Sequence, residues 1–303
     1  MPRASSGDML RGIFVGTQHG KSEGEKGMIE FILGRAGTGK TDTCLSAMAA
    51  HMKKEPMGSA LVLLLPEHAT YRAERRLAAM MAGEGEGFVR SIVFGFKRFA
   101  RHVLQETGGA AAKRITKVGR RLLLKRILAE EAEHMQAFAR AAKQRGFTET
   151  LEDAMEEMRS YGIDQDALLK AKSALGDEYL CQKLDDLALI YSRYRDKMAG
   201  RYNDTGDMLD ALAEKIPGAR LLEGAEVWID GFSFFNPQER KILKALFQKA
   251  EAVHITLAFD LENGARNQNE GSLFYRQAQT LQQLKLMAQE LQIPVRVHEL
   301  KEN

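Results

Sequence analysis

The chain has 303 residues, 44% of them hydrophobic, which is enough to fill the core of one large domain or two ordinary ones. Its 44 Lys and Arg against 41 Asp and Glu give a net charge of +3, so any affinity for nucleic acid must come from local clusters of positive charge. Two distant cysteines and the lack of an apolar run of about 18 to 20 residues exclude a disulfide scaffold and a membrane span, and they predict a cytoplasmic protein with no membrane partner.

The N-terminal segment differs in composition from the rest of the chain. Residues 1–27 are rich in Gly, Ser, Lys and Glu and are predicted to form a disordered leader. Met28 stands directly before the first strand, so it is a candidate for the natural start, with the leader as the product of an upstream start; the alternative is that the leader is a functional tail. The apolar run 29–33 predicts this strand, which ends at a glycine-rich turn, and helix-forming residues resume over 40–53.

Two more strand and helix pairs are predicted downstream. The aliphatic run 60–65, ended by Pro66, is typical of a strand buried on both faces of a parallel sheet, and 71–81 fits the crossover helix. A short strand at 91–94 precedes a helical stripe that begins at Phe96. The first part of the chain is therefore predicted to be a parallel α/β structure.

The hydrophobic period changes in the middle of the chain. Over about 113–201, apolar residues recur at three- and four-residue spacings without strand candidates, which predicts an all-helical insertion. The α/β pattern then resumes with a strand at 226–230, a helix at 237–249, a strand at 253–259, a helix at 273–291 and a strand from 295. The predicted domains are a leader at 1–27, the first part of an α/β domain at 28–112, the helical insertion at 113–202 and the second part of the α/β domain at 203–303.

A phosphate-binding motif lies between the first strand and the first helix. It follows the pattern G-x-x-x-x-G-K-[ST] and consists of Gly34, Arg35, Ala36, Gly37, Thr38, Gly39, Lys40 and Thr41. In such a loop the backbone N–H groups wrap a phosphate, the lysine contacts the β and γ oxygens and the threonine hydroxyl joins a Mg²⁺ shell. We therefore predict that these residues bind ATP and that Thr41 is a magnesium ligand. The alternative is a chance match in a glycine-rich turn.

A carboxylate after a neighbouring strand is the second half of such a site. Asp230 follows Val227-Trp228-Ile229 and is predicted to contact Mg²⁺, directly or through water, with a helix or turn cap as the alternative. The next residue in hydrolysing enzymes is usually a glutamate that polarises water, but here it is Gly231, so no catalytic residue is assigned. Glu239 is the nearest carboxylate downstream, and a solvated helix face is the favoured interpretation for it. Binding without efficient hydrolysis is the resulting prediction.

Charged and aromatic clusters near these elements each have two interpretations. The basic groups can contact phosphates or lie on solvated helix faces, and the aromatic group can stack on unpaired bases or pack in the core. These groups are Arg72, Arg75 and Arg76; Lys97, Arg98 and Arg101; and Phe94, Phe96 and Phe99. The histidines show no shared ligand spacing, so none is assigned to a metal.

Four segments together resemble a known family in their order and spacing. They are Gly34–Thr41, Leu63–Glu67 followed by Thr70, Val93–Phe99, and Trp228–Phe232. Only the first is specific by itself. From about Met28 to the end, the combination resembles the AddB family, one of the two protein components of bacterial ATP-dependent helicase/deoxyribonucleases. The acid-rich turn and short helix at Asp204–Leu209 are also similar to superfamily-one helicases.

The resemblance implies a P-loop, RecA-like parallel sheet of the superfamily-one helicase type, interrupted by the helical insertion. It also implies an AddA-like motor subunit as the partner in a heterodimer, and single-stranded and duplex-end DNA as ligands, with the loop from Pro66 where related helicases contact single strands. The family's nuclease carboxylates, its iron–sulfur cysteines and a second RecA-like domain are expected beyond Asn303. The chain departs from active helicases at Gly231 and in lacking their Gly-Asp…Gln sensor.

Three functional hypotheses remain open at this point. The first is an ATP- and DNA-binding, helicase-like part of a helicase/nuclease subunit that processes double-strand ends for recombinational repair. The second is a scaffold that does not hydrolyse ATP, reads DNA and docks the motor subunit. The third, a small-molecule P-loop kinase, is disfavoured because the sequence shows a long helical insertion and no lid with paired arginines.

Overall fold

The computed structural model describes residues 27–82, 90–109, 115–199, 201–202, 204–260 and 269–301. All of the predicted leader except Gly27 lies outside these ranges. The described strands are β1 (Met28–Gly34), β2 (Leu61–Leu64), β3 (Ser91–Phe94), β4 (Glu226–Ile229), β5 (Ala252–Ala258) and β6 (Val295–Glu299). They form one sheet in the order β3-β2-β4-β5-β1-β6, and every pairing is parallel. The predicted parallel α/β fold is confirmed, and the order is consistent with the RecA-like sheet that the resemblance implies.

Ten α-helices are described. They are α1 (Lys40–Lys54), α2 (Thr70–Met81), α3 (Phe96–Thr107), α4 (Lys117–Glu130), α5 (Phe147–Ser160), α6 (Gln165–Ser173), α7 (Glu178–Met198), α8 (Thr205–Lys215), α9 (Pro237–Lys249) and α10 (Tyr275–Glu290). Each predicted strand is present, and the described part of the predicted helical insertion contains helices and no strand. None of the helices in the described ranges is long and apolar enough to cross a membrane.

The chain divides into two compact units. The first contains Met1–Phe99, Lys215–Phe235 and Leu243–Asn303, and therefore the whole sheet. The second contains Ala100–Glu214 and Asn236–Ile242. The domain boundaries predicted from sequence stay a prediction.

The central strands of the sheet are buried on both faces, whereas the edge strand β6 is exposed along its whole length. All four residues of β2 are at most 2% exposed, as expected for a near-continuous aliphatic run in a parallel sheet. One face packs against the apolar sides of α1 and α2, where Leu45, Met48 and Leu77 are fully buried. Burying each such side chain stabilises the fold by roughly 1.5 to 3 kcal/mol before conformational entropy is subtracted.

The second unit has a core of its own. α4, α5 and α7 contribute apolar residues to one cluster, and α6 packs on α7. The buried members of the cluster include Leu124, Ile127, Leu128, Leu151, Met155, Ile190 and Tyr194. Two buried carboxylates next to this core accept hydrogen bonds from the groups around them. Glu152 accepts hydrogen bonds from Arg120 Nε at 2.9 Å and Arg121 Nε at 2.7 Å.

The second of these carboxylates, Asp186 on α7, accepts hydrogen bonds from the backbone of a loop. It is 2% exposed and accepts hydrogen bonds from the backbone N–H of Gln136, at 3.0 and 3.1 Å to its two oxygens, and from that of Phe138 at 2.7 Å. Backbone N–H groups that are even partly removed from water need an acceptor, and the loop around Gln136 has no helix or strand to supply one. The carboxylate of Asp186 therefore accepts the hydrogen bonds that backbone carbonyl groups would accept in a helix or a sheet.

A histidine between two carboxylates lies within the sheet. His254 on β5 is aligned with Glu30 on β1 and with Trp228 on β4, whose ring it stacks on at 4.8 Å. Its Nδ1 is 2.7 Å from Glu30 Oε2, and its Nε2 is 3.6 Å from Glu226 Oε2, too long for a hydrogen bond but close enough for charge attraction. Burial lowers the pKa of His254, but the two carboxylates outweigh burial and the pKa is raised. His254 in turn lowers the pKa of Glu30.

This cluster predicts how stability depends on pH. The raised pKa of His254 means that its contribution is complete below the ordinary histidine value of about 6.5 and is lost as pH rises through the folded value. His254→Gln should lower the free energy of unfolding by roughly 3 kcal/mol near pH 6, because it takes from the half-buried Glu30 carboxylate the cation that is hydrogen-bonded to it. The substitution should also reduce the decline in the free energy of unfolding between pH 6 and pH 9. Urea unfolding at several pH values measures both effects. His134→Gln, whose side chain is 69% exposed, is the control and should keep the wild-type profile.

Candidate functional site

The glycine loop, residues Gly34–Thr41, connects the end of β1 to the start of α1. Gly37 and Gly39 have φ values of 90° and 82°, a left-handed conformation that favours glycine. Nothing lies within 4 Å of the position that a Cβ would take at either residue, so the loop faces open space. The two glycines therefore leave the backbone of the loop open on this side.

Gly34 is required for a different reason. A Cβ at this position would lie 2.4 Å from Thr38 Oγ1 and 2.9 Å from the backbone oxygen of Leu300, just after β6. The second of these atoms belongs to the backbone and cannot move aside without disturbing the sheet. Close packing therefore demands glycine at the first position of the motif.

Lys40 binds the loop that it follows. Its Nζ donates hydrogen bonds to the backbone oxygens of Gly34 at 2.8 Å and Arg35 at 2.6 Å. Burial lowers the pKa of Lys40, and the negative charge of Asp230 opposes that effect without cancelling it. The ammonium is thus held inside the curve of the glycine loop.

Asp230 and Thr41 meet although they are 189 positions apart in the sequence. The Thr41 hydroxyl donates to Asp230 Oδ2 at 2.7 Å, and the Thr256 hydroxyl on β5 donates to Asp230 Oδ1. The carboxylate is 4% exposed. Strand order explains the meeting, because β5 lies between β4 and β1 and all three strands end at the same edge of the sheet.

These groups form one arrangement suited to a polyphosphate and a divalent cation. The first N–H groups of α1 have no partner within the helix, and their dipoles point toward the glycine loop. Lys40 adds a positive charge, and no side chain caps the helix start at Gly39. A hydroxyl next to a carboxylate supplies the oxygen ligands that Mg²⁺ prefers. The residues predicted to bind ATP and Mg²⁺ are brought together, and they fit that group.

Neither Gly231 nor Glu239 supplies the carboxylate that an active hydrolase uses to polarise water. Gly231 has a φ of 82°, and a Cβ there would lie 3.2 Å from Pro66 Cδ, so any side chain at this position would be strained. The prediction that Glu239 lies on a solvated helix face is wrong. Its carboxylate accepts from Asn236 N at 2.9 Å while Asn236 Oδ1 accepts from Glu239 N at 2.8 Å, a capping box at the start of α9.

The basic and aromatic clusters separate into exposed and structural members. Arg72 and Arg75 are exposed on α2 next to Tyr71, whose side chain is 70% exposed, whereas Arg76 is paired with Asp42. In the second cluster Arg98 lies 4.9 Å from the ring centre of Phe94 and 3.6 Å from Glu74. Phe96 and Phe99 are buried, so for these two aromatic residues packing in the core, and not stacking on bases, is the interpretation that the structure supports.

Thr256 was not predicted from the sequence as a site residue. The available signal was a pair of polar residues, His254 and Thr256, two positions apart and therefore on one face of an otherwise apolar strand. A polar side chain on a strand buried on both faces needs a partner. The sequence alone does not say that the partner is Asp230.

The chain is similar to known proteins over most of its length. Residues 31–303 match the family described as ADDB, N-terminal. The chain is 42% identical over 236 residues to the B component of the ATP-dependent helicase/deoxyribonuclease of Heliobacterium modesticaldum, covering 77% of this chain and 19% of that protein. It is 39% identical over 271 residues to the protein of the same name from Pelotomaculum thermopropionicum, covering 88% and 23%. The chain thus spans about a fifth of the length of the curated relatives that it matches.

Proposed function

Because the chain belongs to the AddB family, whose N-terminal part it matches, we propose that it binds ATP and Mg²⁺ through the glycine loop, Thr41 and Asp230. The relatives are named as one subunit of an ATP-dependent helicase/deoxyribonuclease. By that likeness, the protein is part of a helicase/nuclease heterodimer with an AddA-like motor subunit. The complex would process double-strand DNA ends for recombinational repair in the cytoplasm. An iron–sulfur cluster would belong to regions outside this chain.

The contact between Thr41 and Asp230 carries this proposal. A buried carboxylate that faces the hydroxyl next to the loop lysine has the composition of a magnesium–phosphate site, and a plain turn cap would not join residues 189 positions apart. Weak hydrolysis is part of the proposal, because Gly231 offers no carboxylate to polarise water.

The test is the magnesium dependence of nucleotide affinity. Calorimetric titration of the wild-type chain with ATP should give an affinity about tenfold higher in Mg²⁺ than in EDTA, and Asp230→Asn should remove most of that difference. Asp42→Asn is the matched control, since Asp42 is an exposed acid on the first turn of α1 that pairs with Arg76. Equal affinities in Mg²⁺ and EDTA for the wild type would refute the site.

The exposed basic face of α2 supports contact with single-stranded DNA. Arg72→Ala combined with Arg75→Ala should weaken binding of an oligonucleotide and reduce the slope of log affinity against log salt by about 1.4, because roughly 0.7 counterion is released per phosphate of a single strand. Fluorescence anisotropy at several salt concentrations measures both effects. The pair Lys125→Ala and Arg126→Ala on α4 removes the same charge elsewhere. An unchanged salt slope in the α2 variant would exclude this face as the contact.

A scaffold that does not hydrolyse ATP is the second candidate function. The left-handed conformation of Gly231, with Pro66 next to it, favours this candidate, since it disfavours the glutamate that a motor would carry there. If neither Asp230→Asn nor substitution of Lys40 changes the behaviour of the reconstituted heterodimer, the scaffold is the better description.

A further inference from the structure

We propose that Thr256 is a positioning residue of the nucleotide site, and that its hydroxyl orients the Asp230 carboxylate toward Thr41 and the magnesium ion that accompanies the nucleotide. This inference rests on the proposed function and adds a residue to it. Nothing in the phosphate-loop motif or in the segment around Asp230 points to a residue on β5.

The geometry divides the carboxylate between two hydroxyl groups. Thr41 donates to Oδ2 at 2.7 Å, and Thr256 donates to Oδ1. Ile229, the last residue of β4, is aligned with Ile255 on β5, so Asp230, which directly follows β4, comes beside Thr256, the next residue of β5. The Thr256 side chain is therefore placed to reach Asp230 by the register of the sheet itself.

Burial and side-chain shape make this contact restrictive. Thr256 is 2% exposed and Asp230 is 4% exposed, so water does not compete freely for Oδ1. A β-branched residue on a strand has few allowed χ1 values, which fixes the direction of its hydroxyl. With Oδ1 engaged in this way, Oδ2 is the oxygen left to face Thr41 and a cation.

The position of β5 explains why this residue, and not a neighbour, has the role. β5 lies between β4, which precedes Asp230, and β1, which leads into the glycine loop. Thr256 is aligned with Ile32 on β1, whose side chain is apolar. Thr256 thus places a hydroxyl on the strand between Asp230 and the glycine loop. Groups that orient a metal ligand typically change metal affinity by about 10- to 100-fold when they are removed.

The experiment compares Thr256→Val with Thr256→Ser in the 303-residue chain. Valine keeps the branched shape and removes the hydroxyl, while serine restores the hydroxyl. We expect Thr256→Val to raise the dissociation constant for a fluorescent ATP analogue about tenfold in Mg²⁺ and to leave the EDTA value within about twofold. Thr256→Ser should return the Mg²⁺ value close to wild type. Urea unfolding of each variant establishes that it is folded at the assay temperature.

Two outcomes of this experiment would overturn the inference. Equal losses in Mg²⁺ and EDTA would mean that Thr256 only supports the fold, and no loss in either would mean that the hydroxyl is dispensable. An unchanged magnesium dependence in Asp230→Asn would instead count against the proposed function, since it removes the metal ligand itself.

A second measurement tests the positioning without nucleotide. Crystal structures of the wild-type chain and of Thr256→Val, both free of nucleotide, should differ at Asp230. In the variant we expect the carboxylate to turn, so that no oxygen remains within about 3.5 Å of Thr41 Oγ1. If the wild type binds no nucleotide, the proposed function fails while this comparison still decides the role of Thr256. A carboxylate that keeps its contact with Thr41 in the variant would overturn the inference.

Discussion

Lys40→Ala should weaken binding of ATP by this chain by about 100-fold, which corresponds to roughly 2.7 kcal/mol. The ammonium is the positive charge held within the glycine loop, where it donates to the backbone oxygens of Gly34 and Arg35. Its loss would remove the charge that we propose to contact the β and γ phosphates and also the two hydrogen bonds to the loop backbone. Titration with a fluorescent ATP analogue in Mg²⁺ measures the change.

Lys54→Ala is the matched control for this prediction. Lys54 lies at the other end of α1 and is exposed, so its removal changes the net charge equally without touching the loop. Its dissociation constant should stay within about twofold of wild type, as expected for a screened surface charge. If Lys40→Ala binds the analogue as well as Lys54→Ala does, the glycine loop is not the nucleotide site.

Asp186→Ala should lower the free energy of unfolding of the second unit by roughly 3 kcal/mol. The substitution leaves the partly buried N–H groups of Gln136 and Phe138 without their acceptor and opens a small cavity where the buried carboxylate was. We expect the loop that contains these two residues to lose protection first. Urea unfolding, together with hydrogen exchange of this loop, measures both consequences.

The neighbouring residue offers the control for this second effect. Asp185 is also an acid on α7, but it is 44% exposed and pairs with Lys172 at the surface. Asp185→Ala should cost less than about 1 kcal/mol, because exposed ion pairs contribute little. Equal destabilisation by the two variants would show that charge on α7, and not the capture of backbone N–H groups, stabilises this unit.

Much of the fold follows from local patterns in the sequence. β2 was predictable because a short aliphatic run ended by proline is typical of a buried strand. α9 was predictable because proline is suited to the first turn of a helix. The glycine loop was predictable because the motif states the chemistry of each position. The prediction that these residues bind ATP and magnesium remains to be tested by the experiments above.

The parts that sequence reasoning missed depend on partners that are far apart along the chain. No local pattern indicates that His254 takes its charge partner from Glu30, 224 positions away, or that Thr256 serves Asp230. The role of Asp186 was hidden for the same reason, since its partners are backbone groups about 50 positions earlier. Glu239 was misjudged because a glutamate three residues after an asparagine also fits a solvated helix, and only the reciprocal hydrogen bonds identify a capping box.

The place of β1 in the sheet has a consequence for biosynthesis. Its two neighbours are β5 and β6, the last of the described strands to leave the ribosome. At the usual translation rate of about 5 to 20 residues per second, β1 waits on the order of ten to forty seconds for the first of them. Throughout that interval the apolar residues of β1 have neither of their two neighbouring strands to pair with, which exposes apolar surface on the nascent chain. The nucleotide site proposed above, which includes Thr256 on β5, is therefore complete only after translation has passed β5.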